Sequence, residues 1–247
     1  MRIAAIRLPC RDVEAVARFY VQAFGVTVGT DGAFAIGAQR IELVGGAEPD
    51  TPAPGNDTRF QHFAIVTPRM DEAVAQLRTV AGWTAISRKG PVSLPPASGG
   101  AQAFKFRDPE GHPLELLEFS RSWKPPDWAG ASALFAGIDH SAISVADTER
   151  SVAFYERLGF IRAHDQVNQG LGQKALDGLD GASVAITSLR APDGPPGVEL
   201  LRYRTPAPVL ATAAPRSVLA TTLVLDGEGP GAEDPDGHRL VHAGPTP

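Results

Sequence analysis

The feature that most constrains this chain is that it repeats itself. Asp12 to Gly25 reads DVEAVARFYVQAFG and Asp147 to Gly159 reads DTERSVAFYERLG, each preceded by an apolar run with the look of a strand. In both copies an Asp is placed to cap a helix, apolar residues recur at helical spacing, and Gly supplies the stop. A second echo sets Asp108-Pro109-Glu110-Gly111-His112 against Asp234-Pro235-Asp236-Gly237-His238, 126 residues apart and each followed by an apolar stretch. Pro and Gly at those offsets specify a tight turn between antiparallel strands. Self-similarity at such a period decides architecture before any local reading does.

Between the copies, Ser120 to Gly130 (SRSWKPPDWAG) reads as a linker, with Trp123 and Trp128 expected to anchor it. The chain therefore divides into an N-terminal pair of modules over 1–120, a linker over 121–135 and a C-terminal pair over 136–247. Each half divides again, because Phe60 to Thr67 reads as a strand, Met70 to Gly82 as a helix, and Trp83 to Phe119 as strands broken by Pro and Gly. Four modules result, at roughly 1–46, 58–120, 136–204 and 216–244. The complete ones read strand, helix, then about three strands. The last is truncated: after Val218 to Leu225 only Asp226 to Glu233 precedes the DPDGH turn, which leaves no room for a helix.

Composition narrows the function classes. A formal charge of −5 with scattered Lys and Arg gives no electrostatic footprint for nucleic acid or an anionic membrane, so a small-molecule partner is expected. No apolar run is long enough to span a bilayer and the start lacks a secretory layout, so the expected location is cytoplasmic. The single cysteine, Cys10, excludes an intrachain disulfide and any paired-thiolate zinc site, and reads as a small buried hydrophobe.

The helix endings Phe19-Tyr20 with Gly25 and Phe154-Tyr155 with Gly159, the strand-start His62 and His140, and the turn-plus-strand DPEGHPLELLEF (108–119) carry a family resemblance. Over nearly its whole length the chain resembles the vicinal oxygen chelate superfamily, the group of glyoxalase I, bleomycin-resistance proteins and extradiol dioxygenases. The resemblance implies an α+β fold of four tandem βαβββ modules, the fourth abbreviated, forming two curved-sheet cups. It also implies a divalent metal in a cup, with ligands from the first and last strand of each module. Module two then offers His62 and Glu115, and module three His140 and Glu199. Module one has Ala5 and Glu42 at the equivalent positions, and module four Leu219 and Val241. Strand alternation independently puts Glu115 on one face with Leu117 and sends Glu118 to the other, into solvent.

Two imidazoles and two carboxylates suit one divalent ion, whether Zn, Ni, Mn, Co or Fe(II), and leave adjacent positions for a chelating substrate. If modules pair one with two and three with four, the ligands are split between cups. If they pair two with three and one with four, His62, Glu115, His140 and Glu199 share one cup while the other keeps only Glu42. The second arrangement is expected. Through the resemblance, in which glyoxalase I proteins of four modules pair this way, it implies a metal-dependent isomerase or lyase of glyoxalase type acting on a small substrate with vicinal oxygens through an enediolate, and a monomer or homodimer is expected. Glu115 or Glu199 would move the proton. The alternatives are an Fe(II) extradiol-type dioxygenase and a metal-free binding or resistance protein.

Other residues carry plainer expectations. The Phe-Tyr pairs read as core packing, His112 and His238 as turn residues, and His164 and His242 as having no visible partner. Gly170-Leu171-Gly172 lies among strands and reads as a hairpin. Asn56-Asp57-Thr58 matches a glycosylation acceptor that a cytoplasmic chain would not use.

Overall fold

A computed structural model describes residues 1–244. The first half runs β1 (Ile3–Cys10), α1 (Val13–Phe24), β2 (Ala33–Ile36), β3 (Gln39–Gly45), β4 (Gln61–Val66), α2 (Met70–Arg78), β5 (Thr84–Ala85), β6 (Val92–Ser93), β7 (Gln102–Arg107) and β8 (Pro113–Glu118). The second runs β9 (Gly137–Ser144), α3 (Thr148–Arg157), β10 (Ile161–Gln169), α4 (Gly170–Asp177), β11 (Ser183–Arg190), β12 (Gly197–Thr205), β13 (Thr222–Leu225), β14 (Ala232–Glu233) and β15 (Arg239–His242). Repeated capping chemistry explains the repeated helices: Asp12 accepts the amide of Ala15 and Asp147 that of Arg150. At the far end of α1, Gly25 takes the left-handed conformation (φ 67°) and returns its amide to the Val21 carbonyl.

The strands form two sheets that cross the midpoint of the chain. One has nine strands, in the order β10-β11-β12-β9-β4-β8-β7-β5 with β6 added beside β7, and so joins modules two and three. The other has the order β14-β15-β13-β1-β3-β2 and joins modules one and four. The joins are alike: β4 runs antiparallel to β9, as β1 does to β13. Among the described residues no helix lies between β13 and β14, as the shortened fourth module requires.

Alternation along the nine-stranded sheet sorts its residues by face. Phe63, Ile65, Phe104, Phe106, Leu114 and Leu116 join a core with Met70, Ala73, Val74 and Leu77 of α2, so this is the helix-bearing face. His62, Lys105 and Glu115 alternate with them and face the cup.

While the sheets pair two with three, polar staples tie one to two and three to four. Tyr20 on α1 reaches Asp108 of the first DPxGH turn (3.5 Å), which also binds His112 Nδ1 (2.7 Å), and His112 Nε2 meets the Pro9 carbonyl (2.9 Å). The second copy repeats this, with the Tyr155 hydroxyl donating to Asp234 (3.2 Å) and His238 Nε2 meeting the Ser144 carbonyl (3.2 Å). The turn histidines are thus buried struts, and the helix tyrosines add a directed hydrogen bond to their packing.

Two expectations are corrected. Glu118 is not a free surface charge: its carboxylate accepts the Met70 amide (2.8 Å) and so caps α2, whose preceding residue Arg69 offers no capping side chain. Gly170-Leu171-Gly172 opens the helix α4, inserted between β10 and β11, in place of a hairpin. Cys10 is buried, and Trp128 sits at 5% exposure while Trp123 stays half-exposed. No helix among the described residues is long and apolar enough to cross a membrane.

The staples generate a stability prediction. Asp108→Ala leaves the His112 ring and the Tyr20 hydroxyl buried without their acceptor, so it should cost about 2–4 kcal/mol, against about 1 kcal/mol for Tyr20→Phe. Urea unfolding of both variants measures this, and equal losses would contradict the staple.

Candidate metal centre

The β4 to β9 join builds the centre of the cup. Ala64 stands opposite His140 and Ala142 opposite His62, so the two histidines lie diagonally across the strand pair with ring centroids 5.8 Å apart. On the other side of β4, parallel β8 sets Glu115 against Ala64. On the other side of β9, parallel β12 sets Glu199 against Ala142. Small alanines at the crossing points leave space for the four larger side chains. His62 Nε2 is 3.2 Å from Glu115 Oε2, and His140 Nε2 is 3.5 Å from Glu199 Oε2.

One potential ligand atom from each of His62, Glu115 and His140 lies within 4.8 Å of the others, so these three residues could hold a metal ion. Glu199 adjoins the group through His140 and is the most exposed of the four, its side chain 21% accessible. Glu42 lies in the other sheet, where Arg7 (2.8 Å) and Arg40 (3.1 Å) neutralise it. The structure therefore brings together His62, Glu115 and His140, with Glu199 beside them, and leaves Glu42 outside.

Electrostatics set the two histidines apart. Burial drives the His62 pKa down to about 4, which keeps the imidazole neutral with a lone pair to give. Neither of its ring nitrogens has an aligned hydrogen-bond partner, because the contact with Glu115 has a short distance but poor direction. Burial alone would raise the Glu115 pKa, yet His62 and the Lys105 ammonium hold it well below the usual carboxylate range. For His140 burial is likewise outweighed, here by Glu199 and Asp139, and the pKa rises to about 9. A buried neutral imidazole with no hydrogen-bond partner among the described residues, beside the ionised Glu115 carboxylate, is the environment a divalent ion satisfies.

Several residues around the centre escaped the sequence reading. Lys105 is buried on the cup face, opposite Glu115 in the β7 to β8 hairpin, with Nζ 3.7 Å from Glu115 Oε2 and 2.8 Å from Asp177 Oδ1. Its signal was present: a lysine between Phe104 and Phe106 must face away from the helices, and the turn at 108–112 sets its register. Asp177, at the end of α4, had no such signal because α4 itself was unexpected. Asp139 holds His140 Nδ1 (2.9 Å) and is held in turn by the Trp128 indole (2.6 Å), so the linker orients a histidine of the centre. The Ser188 hydroxyl donates to Glu199 Oε1 (2.8 Å).

The Glyoxalase/Bleomycin resistance protein/Dioxygenase superfamily matches residues 2–116 and 137–226. The chain belongs to that superfamily. Among solved structures, glyoxalase I from Zea mays is similar with a TM-score of 0.63 and 16% identity, over 98% of this chain and 91% of that one. A V278E mutant of the same enzyme gives 0.62 and 16%, over 97% and 90%. At that identity the likeness shows a shared fold. No curated protein sequence matches the chain. In superfamily terms, the pairing of modules two with three and one with four gives this member one cup with a possible metal site and one whose carboxylate is taken up by arginines.

The His140 surroundings set a pH dependence for the metal-free protein. A histidine whose folded pKa is raised to about 9 from 6.5 contributes stability that is fully present below pH 6.5 and is lost as pH rises through 9. The stability advantage of the parent over His140→Gln should therefore be largest near pH 6 and shrink towards pH 9.5. Urea titrations in chelator at both pH values measure it, and an advantage that grows with pH would contradict the assignment.

Proposed function

We propose that the protein is a metal-dependent isomerase or lyase of glyoxalase type, with His62, Glu115, His140 and Glu199 as ligands and a small substrate bearing vicinal oxygens. The observation that carries this reading is the convergence of His62, Glu115 and His140 at one strand join, with Glu199 adjoining. A divalent ion held there would supply Lewis acidity, lowering the energy of negative charge on the substrate's oxygens as in an enediolate. The neutral His62 imidazole supplies one nitrogen donor and the Asp139-oriented His140 a second, once metal binding has displaced its ring proton. Of the two carboxylates proposed to move the proton, Glu199 is the more accessible; it takes a hydrogen bond from the Ser188 hydroxyl and lies 3.5 Å from His140 Nε2. Glu115 is buried between His62 and Lys105. That difference favours Glu199 as the proton carrier and Glu115 as the fixed ligand.

A second reading has a specific observation behind it. The tight group of two histidines and one glutamate is the donor set that suits non-haem Fe(II), which would make the protein an extradiol-type dioxygenase if Glu199 stays off the metal.

Metal analysis should find about one divalent ion per chain after addition of Zn, Ni, Mn or Fe(II), and turnover should survive strict exclusion of oxygen while exchanging an acidic substrate C–H with solvent deuterium. Oxygen-dependent loss of a catechol would favour the dioxygenase, and no metal under any condition the binding protein. The ligand set has its own test. Glu199→Ala should weaken metal binding by more than the roughly 10- to 100-fold typical of residues behind the ligands, and should abolish turnover, while Glu42→Ala leaves both unchanged. Metal titrations with circular dichroism as the folding control decide it, and the opposite ranking would overturn the ligand assignment.

A further inference from the structure

The buried Lys105 ammonium poses a problem for the centre proposed above. It lies directly across the hairpin from Glu115, with Nζ 3.7 Å from Oε2, in surroundings where a carboxylate and an ammonium attract strongly. Left to itself, a flexible lysine chain would close that gap and donate to Glu115, and a metal ion would have to break the contact to use the same oxygen.

What prevents closure is Asp177. Its carboxylate takes a hydrogen bond from Lys105 Nζ at 2.8 Å, well inside the distance to Glu115, and is itself held by the Tyr203 hydroxyl (2.8 Å) and Gln173 Nε2 (2.6 Å). The end of α4 that carries Asp177 is fastened to the strand edge: the Ser87 hydroxyl donates to the Leu176 carbonyl (2.9 Å) and accepts the Lys105 amide (2.8 Å), and the Arg88 amide donates to the Ala175 carbonyl (2.7 Å). Gly178, left-handed at φ 67°, ends the helix where a Cβ would lie 2.7 Å from the Ile86 carbonyl, so only glycine lets α4 approach this closely. The lysine and its acceptor are thus fixed to each other by one serine and one helix end.

We infer that Asp177 is a positioning residue for the metal centre: it holds the Lys105 ammonium away from Glu115 and so keeps that carboxylate available to a divalent cation. The inference rests on the proposed metal centre, and Asp177 touches no ligand itself. Within the described residues the ion-pair partners of Lys105 are Asp177 and Glu115. Neutralising the first therefore transfers the ammonium to the second.

The test is a double-variant cycle read by metal affinity, using Zn or Ni alone as the probe and calorimetry with the chelator-treated full chain. Asp177→Asn should bind the ion ten- to a hundredfold more weakly than the parent, and Lys105→Met/Asp177→Asn should recover to within a few-fold of the parent. Tyr203→Phe removes one of the two other side-chain hydrogen bonds to Asp177, the Gln173 bond and the Lys105 pair remaining, so it should leave affinity unchanged. If Asp177→Asn does not fold, Lys105→Met alone decides: with no ammonium to restrain, it should bind the ion at least as tightly as the parent. A folded Asp177→Asn with parental affinity, a double variant as weak as Asp177→Asn, or a folded Lys105→Met that binds more weakly would each overturn the inference. Failure of the parent to bind any ion would instead strike the proposed function, which keeps the two failures distinct.

Discussion

The antiparallel contact between β4 and β9 is the constraint on which the rest depends. It sets His62 and His140 diagonally across two alanines, and parallel neighbours on either side then bring Glu115 and Glu199 inward. Because side chains alternate on strands, a slip of one residue in that register would turn one histidine into the helix-side core. Apolar packing guards against the slip, since Phe63, Ile65 and Ile143 occupy alternate positions of the same two strands, and a register shift beside Asp139 brings Ile138 opposite Ile65 in the same core. The Tyr20-Asp108-His112 and Tyr155-Asp234-His238 staples act across the other divide, tying each module to its sequence neighbour while the sheets tie it to another. Two sets of bonds with different partners lock four similar modules into one arrangement.

Burial then determines the chemistry open to the centre. Three of the four proposed ligands are below a tenth exposed, so each charge there must be answered nearby. Asp139 and Glu199 answer His140, Lys105 answers Asp177 and stands close to Glu115, and Ser188 donates to Glu199. The two glutamates are consequently inequivalent: one is enclosed by cationic and imidazole groups, the other stands nearer the opening.

Much of this was legible in the sequence because repeats expose equivalent positions. His62 and His140 begin equivalent strands, and the truncated spacing from Leu225 to Asp234 revealed the missing helix. Glu118 was misread because alternation tells which face a residue takes but not what helix end waits there, and Met70 supplied an amide. α4 was hidden because GLGQKALD is short, opens with two glycines, and gains its stability from Ser87, Arg88 and Lys105, which are distant in sequence. The residues that surround the ligands were missed for the same reason: tertiary partners do not share a period.

The proposed centre takes one ion between the strands joined at β4 and β9. Crystals of the protein soaked in a divalent metal and measured at its absorption edge test this most directly through anomalous scattering. One strong peak is expected, within bonding distance of His62, Glu115, His140 and Glu199, and none beside Glu42. A peak in the other cup, or full occupancy at a position that leaves His62 uncoordinated, would contradict it.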